Sequence, residues 1–190
     1  MENTISGLKV AILATDGFEQ SELLEPKAAL EMAGAKVSII SLKSGQIKGW
    51  KDKDWGTSVS VDMTLDEANV DNFDALQLPG GVMNPDALRM DEKAVAFIKS
   101  FFDAGKPVAA ICHAPWTLIN ADAVKGKTLT SWASLKTDLE NAGANWVDQE
   151  VVVDNGLVTS RKPQDIPAFN KKMIEEFAKG INKRERTAVS

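Results

Sequence analysis

PVAAICHAP, residues 107–115, is the stretch that decides the fold of this chain. Its short apolar run at 108–111 is typical of a buried strand, and Pro115 suits the first turn of a helix, where a missing N–H has no cost. Cys112, the only cysteine, therefore falls at a sharp turn from strand to helix. Free backbone N–H groups and the helix dipole favour the thiolate there, and the thiolate is the reactive form. The pattern predicts a nucleophile elbow.

Strand-like and helix-like segments alternate on both sides of this elbow. Strand patterns occur at 8–13, 36–42, 75–78 and 108–111, with hairpins at 46–61 and 151–159, and helical patterns occur at 19–33, 91–104, 115–121, 135–142 and 163–179. Such alternation predicts a mostly parallel sheet with helices on both faces. Because sites in these sheets lie beyond the carboxyl ends of the strands, segments 16–19, 79–81 and 112–113 are expected to converge.

Length and charge limit the class of protein. The chain has 190 residues and a net charge of −5. Its length predicts one domain, residues 1–181, followed by a flexible charged tail at 182–190. The acidic balance argues against a protein that binds the phosphate backbone of nucleic acids. No apolar stretch approaches the ~20 residues of a membrane span, and the N-terminus lacks signal-peptide features. We expect a cytoplasmic protein with neither a membrane nor a sequence-specific nucleic-acid partner.

The two residues at the elbow have alternative interpretations. A free cysteine is often a small buried hydrophobe, and a lone histidine is often structural. The position of Cys112 after a strand and beside His113, the only histidine, favours a catalytic role, and both interpretations stay open. One histidine and one cysteine cannot supply a typical zinc site, so we expect no metal and no cofactor. A single cysteine also excludes an internal disulfide and fits a reducing cytosol.

Two acids lie just past the first strand. Glu19 and Glu22 are three residues apart and share a helix face. Acids favour the first helical turn for electrostatic reasons alone, which is the structural explanation. The functional hypothesis is that Glu19, in an apolar pocket with a raised pKa, hydrogen-bonds the Cys112 sulfur.

Four further residues complete the candidate site. Gly80 and Gly81 follow a strand, and they are either a tight turn or the source of an oxyanion hole formed by the N–H groups of Gly81 and His113. Asp86 is typical of an acid in the first turn of a helix. Trp132 is expected in the core or in a pocket wall.

Taken together, these motifs resemble the PfpI family of intracellular-protease-like proteins. That family belongs to the superfamily of the parkinsonism-associated deglycase and the class I glutamine amidotransferases. The resemblance runs from about residue 9 to residue 177 and is carried by DGFEQSEL at 16–23, LPGG at 78–81, AICH at 110–113 and VVVD at 151–154. It implies a flavodoxin-like three-layer α/β sandwich with a nucleophile elbow.

The resemblance also implies roles for individual residues. Cys112 matches the nucleophile, Glu19 the acid that contacts its sulfur, and Gly81 an oxyanion-hole donor. His113 matches the histidine that follows the nucleophile. Asp86 falls where relatives carry an acid that reaches this histidine in a neighbouring subunit, which implies a homodimer or a higher oligomer.

The chain departs from its relatives at three positions. Ala114 stands where several relatives have glycine, Trp132 stands where some have tyrosine, and Asp86 is one methylene shorter than the usual glutamate. A shorter carboxylate supplied across an interface makes the orientation of a base less certain, which argues against peptidase activity in particular.

Three functions follow as hypotheses. The first is a cysteine hydrolase of the stress response that acts on glyoxal, methylglyoxal or their adducts on proteins, with Glu19 shuttling the proton. The second is a PfpI-type peptidase in which His113 is the base and Asp86 comes from a partner subunit. The third is a non-enzymatic stress holdase or redox sensor, because an accessible thiolate is easily oxidised.

Overall fold

A mixed seven-stranded sheet forms the centre of the molecule. The structure is a computed structural model that describes the backbone of residues 5–188 and the side chains of residues 5–180. The strands are β1 (Lys9–Leu13), β2 (Phe18–Glu19), β3 (Lys36–Ser41), β4 (Gln46–Lys51), β5 (Asp54–Ser60), β6 (Met63–Thr64), β7 (Ala75–Leu78), β8 (Val108–Ile111), β9 (Thr128–Leu129), β10 (Asn145–Trp146), β11 (Val151–Asp154) and β12 (Leu157–Ser160). Seven of these strands form the central sheet, in the order β11-β12-β8-β7-β1-β3-β6. Within this sheet only the β11–β12 pair is antiparallel.

The helices cover both faces of this sheet. They are α1 (Gln20–Met32), α2 (Met83–Met90), α3 (Glu92–Asp103), α4 (Pro115–Asn120), α5 (Lys136–Asn141) and α6 (Ile166–Ala188). Alternate residues of β1 enter opposite layers, since side chains of a strand point to opposite faces. Ala11 and Leu13 join the cluster that includes α3, α4 and α5, whereas Val10 packs with α6. The predicted flavodoxin-like sandwich is confirmed.

The predicted element boundaries hold to within a few residues, with three differences. The closing helix begins at Ile166, after a short turn at Pro163–Asp165, and its backbone runs to Ala188. This helix enters the segment predicted as a tail, whose side chains lie outside the described residues. The short strands β2, β6, β9 and β10 had no pattern of their own. Met32, an apolar residue within the helical pattern predicted at 19–33, is 89% exposed.

Sheet topology brings the three predicted segments together. Strands β8, β7 and β1 are adjacent and parallel, so the loops after Ile111, Leu78 and Leu13 leave the same edge. The Glu19 N–H donates to the Gly80 carbonyl at 3.3 Å, which ties the first of these loops to the second. The expected convergence is confirmed.

Candidate active site

Cys112 lies at a strained elbow between β8 and α4. Its φ is +64°, a left-handed conformation that a residue other than glycine adopts at a cost of roughly 1–3 kcal/mol. Two hydrogen bonds hold it there: its N–H donates to Ser160 O at 3.0 Å, and its carbonyl accepts from Trp132 N at 2.9 Å. The Cys112 residue as a whole is 6% exposed. The elbow therefore presents a sulfur that is fixed and shielded from bulk water.

The carboxyl group beside the thiol belongs to Glu22, and the sequence-based assignment of this contact to Glu19 is wrong. Glu22 is fully buried, and its Oε2 accepts from Gly80 N at 2.9 Å. The carboxyl and the Cys112 thiol are close enough to change each other's pKa. Burial, followed by the charge of Glu19, raises the pKa of Glu22 to about 8. Glu22 is thus mostly protonated at neutral pH.

Glu19 occupies a different environment three residues earlier. Its Oε1 accepts a hydrogen bond from the Ser21 hydroxyl at 3.2 Å, and burial raises its pKa. Its side chain is half-buried in an open pocket of about 500 Å³ that is lined by Glu19, Gln20, Ser21, Leu24, Glu25, Lys51, Asp52, Pro163 and Gln164. Glu19 therefore influences the thiol only indirectly, because its charge raises the pKa of Glu22.

Helix geometry explains which acid turns inward. Residues four apart lie on one helix face, and Glu22, Pro26 and Leu30 are all buried members of such a row. Glu19 is the residue before the helix, with extended backbone angles. The apolar row is visible in the sequence and could have identified Glu22 as the inward acid.

The Gly80–Gly81 turn fits between Glu22 and Cys112. A Cβ on Gly80 would lie 2.7 Å from Cys112 Cβ and would also collide with the Glu22 carboxyl. Gly81 has a φ of +81°, and a Cβ there would lie 2.7 Å from Glu19 N. The N–H groups of Gly81 and His113 both interact with the Cys112 sulfur and lower its pKa. These are the two donors for which an oxyanion hole is predicted.

Burial outweighs these donors in setting the thiol pKa. Desolvation, followed by the charge of Glu22, raises the pKa of Cys112 above its ordinary value. The N–H groups at the elbow do favour the thiolate, as expected, but burial of the sulfur outweighs them, and α4 has only six residues. Deprotonation of the Cys112 thiol therefore depends on the protonation state of Glu22, because the two groups titrate as a coupled pair.

His113 is held beside the thiol by two tryptophans. Its Nδ1 lies 3.1 Å from Cys112 Sγ. Its ring stacks on Trp132 with centroids 5.8 Å apart and meets the edge of Trp116 at 5.2 Å. Burial lowers its pKa to about 4, so the imidazole is neutral at pH 7. Trp132 is 41% exposed, so it does not lie in the core, which was one of its two predicted placements.

Asp86 lies on the surface of α2, away from His113 of its own chain. It accepts a hydrogen bond from Arg89 Nε at 3.2 Å, and the Arg89 guanidinium lies 4.6 Å from the Trp116 ring centroid. Between residues 5 and 180, no hydrogen bond joins Asp86 to His113. A contact of Asp86 with a partner subunit stays a prediction.

Two further searches bear on the class of protein. Within the described residues, no group of three or more His, Cys, Asp or Glu side chains could hold a metal ion. In the same part of the chain, no helix is long and apolar enough to cross a membrane.

Fold and site together define a doubly wound α/β protein with a cysteine at a sharp strand-to-helix elbow and a buried carboxyl beside it. The chain belongs to the DJ-1/PfpI family, whose sequence model matches residues 8–176. It is 47% identical to general stress protein 18 of Bacillus subtilis over 169 residues, which are 88% of this chain and 96% of that protein. It is 46% identical to protein/nucleic acid deglycase 2 of Escherichia coli over 168 residues, which are 87% of this chain and 95% of that protein.

A solved structure gives the same family. The crystal structure of Drosophila melanogaster DJ-1β superposes with a TM-score of 0.82 at 29% identity, covering 96% of this chain and 98% of that one. The family resemblance predicted from the sequence is confirmed.

Proposed function

We propose that this protein is a cysteine-dependent hydrolase that converts glyoxal or methylglyoxal, free or as adducts on proteins, into the hydroxy acid. The observation that carries the proposal is the buried Glu22 carboxyl beside the Cys112 thiol, with a pKa raised to about 8. Such a group can take and return protons near neutral pH. The names of its relatives, a general stress protein and a deglycase, support the proposal.

Glu22 takes over the proton shuttle that the sequence assigns to Glu19. In its carboxylate form Glu22 accepts the thiol proton while Cys112 Sγ attacks the aldehyde carbon, and it then gives this proton to the carbonyl oxygen. The product is a hemithioacetal. The N–H groups of Gly81 and His113 are close to the sulfur and can stabilise the charge that develops on that oxygen.

The same carboxylate completes the reaction. It removes the hydrogen of the former aldehyde carbon as a proton and returns it to the neighbouring carbonyl carbon, while the hydroxyl proton of the hemithioacetal moves to the neighbouring oxygen through the enediol, which gives an α-hydroxy thioester. Water then attacks the thioester carbon, the S–C bond breaks, and lactate or glycolate leaves with the thiol restored. One carbon is oxidised and its neighbour is reduced, so the net change is the addition of one water.

The limited exposure of the thiol favours a small substrate. Cys112 is 6% exposed and His113 is 8% exposed, so a two- or three-carbon aldehyde can reach the sulfur more easily than an extended peptide. Neutral His113 is also a poor partner for a peptidase, because burial disfavours the imidazolium ion that the thiolate would need.

The test is lactate release from methylglyoxal, and from a methylglyoxal-treated thiol or amine, by the wild type and Cys112→Ala. We expect turnover in the wild type and none in the variant. Met32→Ala, at the exposed end of α1, is the surface control and is expected to retain full activity. Equal turnover by Cys112→Ala would contradict the proposal. Absence of turnover in both proteins, with client protection that survives Cys112→Ala, would favour a holdase instead.

A peptidase is the second candidate, because His113 Nδ1 lies within 3.1 Å of the sulfur. It requires Asp86 from a partner subunit to orient the histidine. Asp86 is exposed on α2, and two exposed apolar residues, Val82 and Met83, lie just before it. These features support a homodimer or a higher oligomer formed through α2. Peptide cleavage that disappears on dilution and in Asp86→Ala, with no lactate from any aldehyde, would favour this candidate.

A further inference from the structure

Asn84 is a buried polar residue that connects two loops at the sheet edge. It is the second residue of α2 and is fully buried. Its Oδ1 accepts from Thr15 N at 2.8 Å, in the loop after β1. Its Nδ2 donates to Pro79 O at 3.0 Å and to Gly80 O at 3.1 Å, in the loop after β7. Both of its amide hydrogens and its oxygen are therefore used on backbone groups.

One of these bonds determines the orientation of a peptide plane. A trans peptide is planar, and its C=O and N–H point in opposite directions. The Gly80 carbonyl is held on one side by Asn84 and by Glu19 N. The N–H of the same peptide belongs to Gly81 and faces the Glu22–Cys112 pair on the other side. The hydrogen bonds that fix the Gly80 carbonyl therefore also fix the direction of the Gly81 N–H.

This peptide needs external restraint because both of its residues are glycines. Glycine tolerates positive and negative φ about equally, so a Gly–Gly peptide can rotate at little cost. Gly81 already lies at a φ of +81°. The hydrogen bonds of the Gly80 carbonyl, two of which come from Asn84 and Glu19, oppose that rotation.

We infer that Asn84 is a positioning residue for Cys112, which holds the Gly80–Gly81 peptide so that the Gly81 N–H points at the sulfur. Asn84 itself touches neither the sulfur nor a substrate. The inference rests on Cys112 as the nucleophile of the proposed function. It extends that function by adding a residue outside the reacting groups.

The side-chain chemistry suggests selective substitutions. Asn84→Ala removes all three hydrogen bonds. Asn84→Asp keeps an acceptor for Thr15 N but removes the amide donors to the Pro79 and Gly80 carbonyls. Asn84→Ser is a milder variant whose hydroxyl can donate one bond, so it serves if the other two variants fold poorly.

Alkylation of the thiol is the test, because Cys112 is the only cysteine, and its reaction with iodoacetamide is followed on the peptide that contains it by mass spectrometry. The second-order rate is measured from pH 6 to pH 11 on protein whose folding has been checked by near-UV circular dichroism. For Asn84→Ala and Asn84→Asp we expect an alkylation rate about tenfold lower at every pH at which the thiol is mostly protonated, the effect of a pKa raised by about one unit, since one hydrogen bond to the anion is lost. Asn84→Ser is expected to lie between these variants and the wild type.

Asp91→Ala is the matched control. Asp91 Oδ1 accepts from Ala94 N at 2.9 Å at the start of α3, so this variant also loses a side chain to backbone bond, but away from the sulfur. Its alkylation profile is expected to match the wild type. Unchanged profiles in folded Asn84→Ala, Asn84→Asp and Asn84→Ser would overturn the inference.

The result of the alkylation test does not depend on which substrate the protein uses. Alkylation needs no aldehyde, so an inactive wild type would contradict the proposed function and leave the positioning role decided by the pH profile. If lactate is produced, the Asn84 variants should lose kcat with little change in KM, since the donor acts on charge that develops during the reaction.

Discussion

Glu22 and Glu19 are both glutamates and lie three residues apart, but one is in a closed region of the molecule and the other in an open one. Glu22 is enclosed with Cys112, Gly80 and Gly81, and its pKa is raised to about 8. Glu19 borders the open pocket and bonds to Ser21. The difference shows that chemistry at this edge is assigned by burial rather than by residue type. The acid proposed as the proton shuttle is the one whose charge water cannot stabilise.

The largest contrast should appear in activity. Glu22→Gln keeps the shape of the side chain but removes the proton shuttle, so we expect kcat/KM for methylglyoxal to fall by about 10²–10⁴-fold, the usual range for general acid–base catalysis. Glu19→Gln, on the open side, should change kcat/KM by less than about tenfold, and upward at pH 7, because it acts only by lowering the pKa of Glu22, whose carboxylate is the active form.

The control for this comparison is folding. Both variants should give the wild-type near-UV circular dichroism spectrum. Equal losses in the two variants would remove the distinction between the two regions, and a larger loss in Glu19→Gln would restore the assignment predicted from the sequence.

Two glycines test the same contrast through stability. A Cβ on Gly80 would lie 2.7 Å from both Cys112 Cβ and Ile111 O, and the backbone carbonyl cannot move away. A Cβ on Gly56 would meet mainly the end of the flexible Gln20 side chain, which can. We expect Gly80→Ala to lower the free energy of unfolding by about 2–3 kcal/mol, in the upper part of the range for overpacking, and Gly56→Ala by less than about 1 kcal/mol.

Urea denaturation at pH 7 measures both values. Similar losses in the two variants would indicate that the region around Glu22 and Cys112 can expand as easily as the open pocket.

The sequence predicted the fold and the elbow because each depends on a local pattern. Alternating strands and helices with a cysteine between an apolar run and a proline were sufficient. The identity of the inward acid needed the orientation of α1, since Glu19 and Glu22 were expected on one face. The row formed by Glu22, Pro26 and Leu30 carried that information.

Other properties of the site depend on long-range packing. The raised pKa of Cys112 follows from burial by residues distant in sequence, and no local pattern shows it. The role inferred for Asn84 depends on three backbone groups that meet only in the folded chain.

The pH dependence of the free energy of unfolding reports on the raised pKa of Glu22 beside the thiol. The pKa of Glu22 is raised to about 8 in the folded state, so between pH 6.5 and 8 the folded protein keeps a proton that the unfolded chain has lost. Stability from this group must therefore fall as the pH rises. His113 has the opposite effect, because its folded pKa is lowered to about 4, and its contribution levels off only about one pH unit above its ordinary pKa of 6.5.

Thermal or urea unfolding at several pH values between 6.5 and 8 measures this slope. Glu22→Gln should make stability less dependent on pH, whereas Glu19→Gln should leave most of the slope in place. A wild-type slope that persists in Glu22→Gln would show that another group holds the proton.

The smallest expected effect is the electrostatic influence of Glu19, in the open region, on Glu22, in the closed one. The negative charge of Glu19 helps to raise the pKa of Glu22, so neutralising it in Glu19→Gln should lower that pKa. Because the carboxylate is the active form, the rise of activity with pH should shift to lower pH by less than about one unit, a size typical of a half-buried charge pair. The measurement is kcat/KM for methylglyoxal from pH 6 to pH 9.5. His113 is neutral over this range, since its pKa is about 4, and does not obscure the shift. A shift to higher pH would contradict the electrostatic coupling, because removing a negative charge cannot make it harder for a neighbouring acid to lose its proton.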